Sequence, residues 1–289
     1  MDINAYILQY EVVIRLSFFF GVFLLMALWE VIAPRRQLVV PKFLRWINNI
    51  ALVFLNSFIL RLLFPAAAVG MATFASRQGW GAFNYFDVPL AVSVLASVII
   101  MDMVIYLQHV MVHAVPALWR LHRVHHADPD IDVTTGSRFH PLEIILSMLI
   151  KFAVIAVLGP PVLAVIIFEI LLNATSMFNH SNIRLNLEVD RVLRLFVVTP
   201  DMHRVHHSVE ADETNSNFGF NLPWWDRLFG TYRAQPRAGH EKMIIGIHQY
   251  NQPSQVSWLH MMLLLPFIGK IGDYAINRRY GTDEVDRDN

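Results

Sequence analysis

The stretch VPLAVSVLASVIIMDMVIYLQHVMVHAVPALWRLHRVHH, residues 88–126, decides how the rest of the chain is read. Its first half, Val88 to Tyr106, is apolar except for Asp102 and long enough to cross a bilayer. Its second half carries His109 and His113 in an H-x-x-x-H pattern, then His122, His125 and His126 in H-x-x-H-H. On a helix, spacings of three and four residues put side chains on one face. Each cluster can therefore offer imidazoles to a single point. A membrane span runs straight into a set of metal ligands.

Working outward, three more apolar runs appear. Ile7 to Ile32 reads as a retained anchor, because no basic leader and no small-x-small cleavage site accompany it. Within it Glu11 and Arg15 stand one turn apart, where they can pair. Ile47 to Ala75 contains Arg61 and Pro65, which predicts either a kinked span or a helix whose Arg faces protein or headgroups. Ile144 to Phe178 is too long for one helix, and Gly159-Pro160-Pro161 divides it into two halves, the mark of a helical hairpin. Arg35, Arg36, Lys42 and Arg45 lie between the first two runs, whereas residues 76–87 offer only Arg77. The positive-inside rule puts the former segment, and the histidines with it, on the cytoplasmic side.

The expected architecture is all-α: an integral membrane bundle of about three full spans plus a hairpin, with a cytoplasmic His-rich helical metal-binding cap. Three regions follow: transmembrane helices over 1–94, the histidine domain over 95–232, and an interfacial helix and tail over 233–289. The last residues, Thr282 to Asn289, are acidic and polar and read as frayed.

Composition agrees. Of 289 residues, 55% are hydrophobic and 16% charged, against about 25% charged in soluble domains. That balance excludes disorder, and a net charge of zero supplies no field for nucleic acid. The absence of Cys excludes disulfides, thiolate zinc sites, iron–sulfur clusters and Cys nucleophiles.

Two further clusters complete the histidine pattern. His180 stands alone, and His203, His206 and His207 repeat H-x-x-H-H. Nine clustered His exceed the four ligands of one tetrahedral zinc and suit two metals of higher coordination. Imidazole alone serves Fe, Zn, Cu and Ni. No Glu has His three residues on, and His240-Glu241 continues without H-E-x-x-H, which excludes the ferritin-type and metalloprotease patterns. His240, His248 and His260 lack ligand spacing and read as ordinary structural residues. A rival function is a histidine-rich membrane metal transporter or metal-sensing protein. Transporters place ligands on broken helices near the midplane, whereas these His lie beyond the apolar runs.

The order of motifs resembles the fatty acid hydroxylase/sterol desaturase superfamily of membrane non-haem di-iron enzymes. The resemblance covers Leu95 to Tyr232. It runs through Asp102, His109…His113, Leu118-Trp119-Arg120, His122…His125-His126 and Arg138-Phe139-His140-Pro141-Leu142-Glu143. It continues through Asn179-His180, Thr199-Pro200, His203…His206-His207-Ser208, Asn217-Phe218-Gly219 and Trp225 to Tyr232. It implies that the nine clustered His bind two iron ions, with O2 as cosubstrate and a lipid C–H bond hydroxylated or desaturated. His140 becomes a tenth candidate, as ligand, as hydrogen-bond donor behind a ligand, or as a helix-start residue. Asp102 is expected to hold a ligand imidazole by its second nitrogen, or else to pair with Arg for structure; Glu143 and Asp226 are read either as partners for His or Arg or as structural caps. One departure is Val110, where family members often carry Arg.

Such chemistry needs electrons, and the chain offers no Cys cluster and no G-x-G-x-x-G. The 57 residues after Tyr232 are too few for a reductase domain. A separate donor of ferredoxin or cytochrome type is expected. Arg184, Arg191, Arg194 and Arg204 either steer it or merely obey the positive-inside rule.

Overall fold

Helices make up every regular element of the computed structural model, which describes residues 3–250 and 252–276. The acidic tail over 282–289 lies outside the described residues. A short α1 (Ile3–Gln9) leads into α2 (Glu11–Ile32), and an irregular link then reaches α3 (Lys42–Leu63). The run with Pro65 is two helices, α3 and α4 (Ala67–Arg77), because Pro65 cannot continue the backbone ladder. Arg61 is exposed on the last turn of α3. Beyond the break, Ala68, Ala72 and Ala75 let α4 pack closely against Met148, Ile155 and Val165.

A turn, α5 (Ala82–Tyr85), precedes α6 (Leu90–Ala114), which carries the apolar run and the first two histidines on one unbroken helix. Pro116 starts α7 (Pro116–His126), its fixed φ suiting a first helical turn. The hairpin is present as α8 (Pro141–Leu158) and α9 (Val162–Asn179). Gly159 ends α8 at φ +64°, and its close approach to Gly81 leaves no room for a Cβ on either residue. Among the described residues, five helical segments are long and apolar enough to cross a membrane: α2, the α3–α5 stretch, α6, α8 and α9. At 18 residues each, the hairpin arms reach about 27 Å, close to the thickness of a hydrocarbon core.

The cap follows as α10 (Leu187–Leu193), α11 (Pro200–His206), α12 (Ala211–Thr214) and α13 (Trp224–Leu228). Residues beyond it do not form one interfacial helix. They make short turns among the described residues, α14 (Gly239–Lys242) against α11, and α15 (Pro253–Val256) and α16 (Leu259–Leu264) against α3 and α7. Arg123 of α7 reaches into this strap and donates to the carbonyls of Leu265, Ile268 and Lys270. Tyr274 stacks on Trp119, with ring centroids 5.5 Å apart.

A buried ion network anchors the loop between α7 and α8. Arg45 of α3 grips Asp128 at 2.8 Å, Asp132 and the Thr135 hydroxyl at 3.0 Å. Asp130 accepts the backbone N–H groups of Val39 and Val40. Glu30 of α2 accepts those of Val133 and Asn182 at 2.7 and 2.9 Å. Such buried charges persist because every one is paired or hydrogen-bonded. The effect is to fix the chain just after His126 and just after His180.

Candidate metal centre

The nine clustered histidines converge from the ends of α6 and α9 and from α7 and α11, and all are buried. They form two groups. His109, His113, His122, His126 and His206 bring one ring nitrogen each within 4.8 Å of one another, and His125, His180, His203 and His207 do the same. The helical spacing explains the partition. His122 and His126, four apart on α7, share a face and enter one group, while His125 turns to the other. His203 and His207 likewise face the second group, and His206 between them faces the first. Each H-x-x-H-H therefore serves both groups.

Outer partners aim the rings. The Nδ1–H of His109 donates to the Phe218 carbonyl at 2.8 Å, that of His206 to the Ser216 carbonyl at 2.8 Å, and that of His180 to the Ser176 carbonyl at 2.8 Å. His113 donates to Asn215 Oδ1 at 3.1 Å and His122 to Glu143 Oε1 at 2.7 Å. With Nδ1 protonated, Nε2 carries a lone pair and points inward. The Nε2 atoms of His109, His122 and His206 then have no protein partner, although they are buried. His180 Nε2 lies 3.1 Å from His125 Nε2 and 3.0 Å from His203 Nε2. Buried acceptors that face one another without donors are costly unless a cation lies among them. Burial and neighbouring imidazoles hold His125, His126, His203 and His207 well below the usual histidine range. Burial brings His180 down to about 4 and His206 to about 3. These six rings are neutral at physiological pH, the form in which imidazole binds metal. The donor set fits two ions with an all-imidazole preference.

Other predicted residues fall elsewhere. His140 joins neither group. Its Nδ1 caps α8 by accepting the Leu142 N–H at 3.2 Å, and its Nε2 meets the Leu263 carbonyl at 3.3 Å. Asp102 touches no imidazole. It accepts the N–H groups of Asn221 and Leu222 and the indole N–H of Trp225, the last at 2.8 Å. His109 was not available to it, because the Phe218 carbonyl already holds that ring. Asp226 acts at one remove: it accepts the Phe218 and Gly219 N–H groups at 2.8 Å each, fixing the segment whose carbonyl aims His109. His240, His248 and His260 join neither group. The four-Arg docking face does not form either. Arg204 is fully buried against Asp201, and Arg194 is buried against Asp190, leaving Arg184 and Arg191 exposed.

A cavity of about 370 Å³ opens beside the cage. His109, His122, His125 and His203 line one end. Ile105, Val112 and Met148 supply apolar wall, and Arg15, Lys151 and Glu169 line the cavity away from the cage. Glu169 bridges Arg15 at 2.9 Å and Lys151 at 3.1 Å, tying α2, α8 and α9 together, and Arg15 also pairs with Glu11 at 2.5 Å. The sequence reading found the Arg15–Glu11 pair but neither the bridge nor the carbonyls of Phe218, Ser216 and Ser176. A carbonyl leaves no trace in residue identity, though Asn217-Phe218-Gly219 marked the segment.

Comparison with known proteins agrees with this geometry. Residues 94–231 match the fatty acid hydroxylase family. The chain is 30% identical over 149 residues to ornithine lipid hydroxylase OlsE of Rhizobium tropici, covering 52% of this chain and 44% of that protein. It is 31% identical over 160 residues to the alkylglycerol monooxygenase of Homo sapiens, covering 54% and 34%. The Xenopus tropicalis alkylglycerol monooxygenase is 31% identical over 163 residues, covering 55% and 34%. The chain thus matches less than half the length of these curated relatives. No solved structure matches it. Residues 94–231, the segment that matches the fatty acid hydroxylase family, hold all nine clustered histidines, so the likeness falls on the metal centre itself.

Proposed function

We propose that this chain is a membrane-bound non-haem di-iron oxygenase that hydroxylates, or desaturates, a lipid C–H bond with O2. The observation that carries the reading is the convergence of nine buried imidazoles into two adjacent groups beside a partly apolar cavity. His109, His113, His122, His126 and His206 would hold one iron, and His125, His180, His203 and His207 the other. Iron bound there supplies the activation of O2 that an unreactive C–H bond requires. The protein's own contribution is positional. Outer hydrogen bonds fix the tautomers of His109, His113, His122, His180 and His206, and the buried cage excludes water from the reacting end of the cavity. Ile105, Val112 and Met148 provide apolar contact for a lipid chain whose reacting carbon lies at the His109–His122 end. The named relatives act on an ornithine lipid and on alkylglycerols, which supports an amphipathic lipid as substrate.

Electrons come from a separate carrier, and the cage faces the cytoplasm on the positive-inside argument. A cage buried beside a cavity, rather than strung along a path across the bilayer, favours catalysis over transport. The test is metal analysis and turnover of the purified chain in lipid. About two irons per chain, with an O2-dependent lipid product once a reductase system is added, support the reading. Metal flux without product, or a stable single metal with every His intact, overturns it.

A further inference from the structure

The cap carries an apolar surface that the metal centre does not use. Val192, Leu195, Phe196, Trp224, Leu228 and Phe229 are each 43–68% exposed, although they belong to α10, α13 and the residues just after them. Two hydrogen bonds join these elements into one platform: Trp224 Nε1 donates to the Leu195 carbonyl at 2.7 Å and Arg227 to the Arg194 carbonyl at 3.2 Å. The platform's height is set by its contacts with α6. Trp225 is tied to Asp102, and Phe229 stacks on Tyr106 with centroids 5.4 Å apart. Asp102 and Tyr106 precede His109 by seven and three residues, about 10 and 5 Å back along the helix toward the bilayer interior. Asn179 and Thr175 of α9 hold the approach to the platform from the other side, through the Phe220 carbonyl and the Asn221 side chain. The platform is thus level with the last turns of α6, below the cage, and Leu107 on the same stretch of α6 is also exposed.

The geometry points to α10 and α13 as a membrane-immersed platform, whose apolar face sits at the headgroup–acyl boundary of the same leaflet that surrounds α6. Exposed apolar groups of this size in contiguity mark an interaction surface. Exposed Arg191 and Arg227, with Trp224, give the polar fringe and indole that interfacial helices show. The inference is independent of what the cage catalyses.

The Cys-free chain allows a direct test. Nitroxide labels placed by Phe196→Cys and Leu228→Cys, in phosphatidylcholine nanodiscs, are compared with Leu24→Cys on exposed α2 and with exposed Arg237→Cys in the cap. The expected result is an oxygen-to-nickel accessibility ratio at 196 and 228 close to that at 24 and several-fold above that at 237. A ratio like that of 237 places the patch in water and overturns the inference. Exclusion of both reagents means that a protein partner or a second copy covers it, which overturns it equally. As a second readout, Trp224→Phe should lower the fraction of tryptophan emission quenched by lipids brominated near the headgroup; an unchanged fraction counts against the platform.

Discussion

His122 directs its Nδ1 at Glu143, with 2.7 Å between the nitrogen and Oε1, so the first turn of α8 aims a ring of the cage. Glu143→Gln keeps the size but loses the charge and the certainty of acceptance. Partners behind a metal-bound imidazole typically account for roughly 10–100-fold in metal affinity. The variant should retain its helical signal and lose metal to a chelator at lower concentration by about that factor. Competitive chelation followed by metal analysis checks it.

The partition of histidines predicts selective loss. His113→Ala and His180→Ala each remove a ligand from a different group. Metal content should fall from near two toward one per chain in each variant and toward zero in the double variant. His140→Ala lies outside both groups and should leave metal content intact. Its cost is the α8 cap, about 1 kcal/mol of stability, visible in thermal unfolding.

Asp226 offers a signature in pH. Burial pushes its carboxyl from the usual 3.8 up to about 6. A folded-state value above the unfolded one means that the buried charge costs stability at neutral pH. That cost fades as pH falls through about 6 and is gone below the unfolded range. The shift corresponds to roughly 3 kcal/mol at most. Between pH 7 and 4 the wild type should therefore gain stability relative to Asp226→Asn by up to that amount. Unfolding curves of both proteins across the range decide it, and a relative loss on acidification would reject the assignment.

Glu169 neutralises two cations inside the helical bundle. Glu169→Gln leaves Lys151 buried without its partner, which should destabilise the protein by about 3 kcal/mol. Lys151→Gln combined with Glu169→Gln removes both charges and should recover part of the loss. A double-mutant cycle in thermal unfolding measures the coupling; strict additivity would show that the pair is inert.

The convergence of the histidines was legible in the sequence because they obey helical spacing, and the hairpin because Gly159-Pro160-Pro161 cannot lie inside a helix. The misplacements have physical causes. Asp102 shares a helical face with His109, but a buried carboxylate takes the donors nearest to it, and these arrive from Asn221, Leu222 and Trp225, over a hundred residues later in the chain. The basic docking face was a count of charges that ignored burial. Asp201 three residues before Arg204, and Asp190 four before Arg194, already indicated that those cations turn inward to pair. The hydrogen bonds that aim His109, His180 and His206 end on backbone carbonyls, which any residue could supply, so only the fold reveals them.

The strap over α7 bears on how the protein matures. Trp119 packs against His113 and His126 on one side and against Tyr274 on the other, and the Ile276 N–H donates to the carbonyl of His113 itself. All nine clustered histidines leave the ribosome before any of residues 265–276. A growing chain thus passes through an interval in which every histidine has been made while the outer wall behind them is still absent. That wall is complete only when Tyr274 has been made and can stack on Trp119.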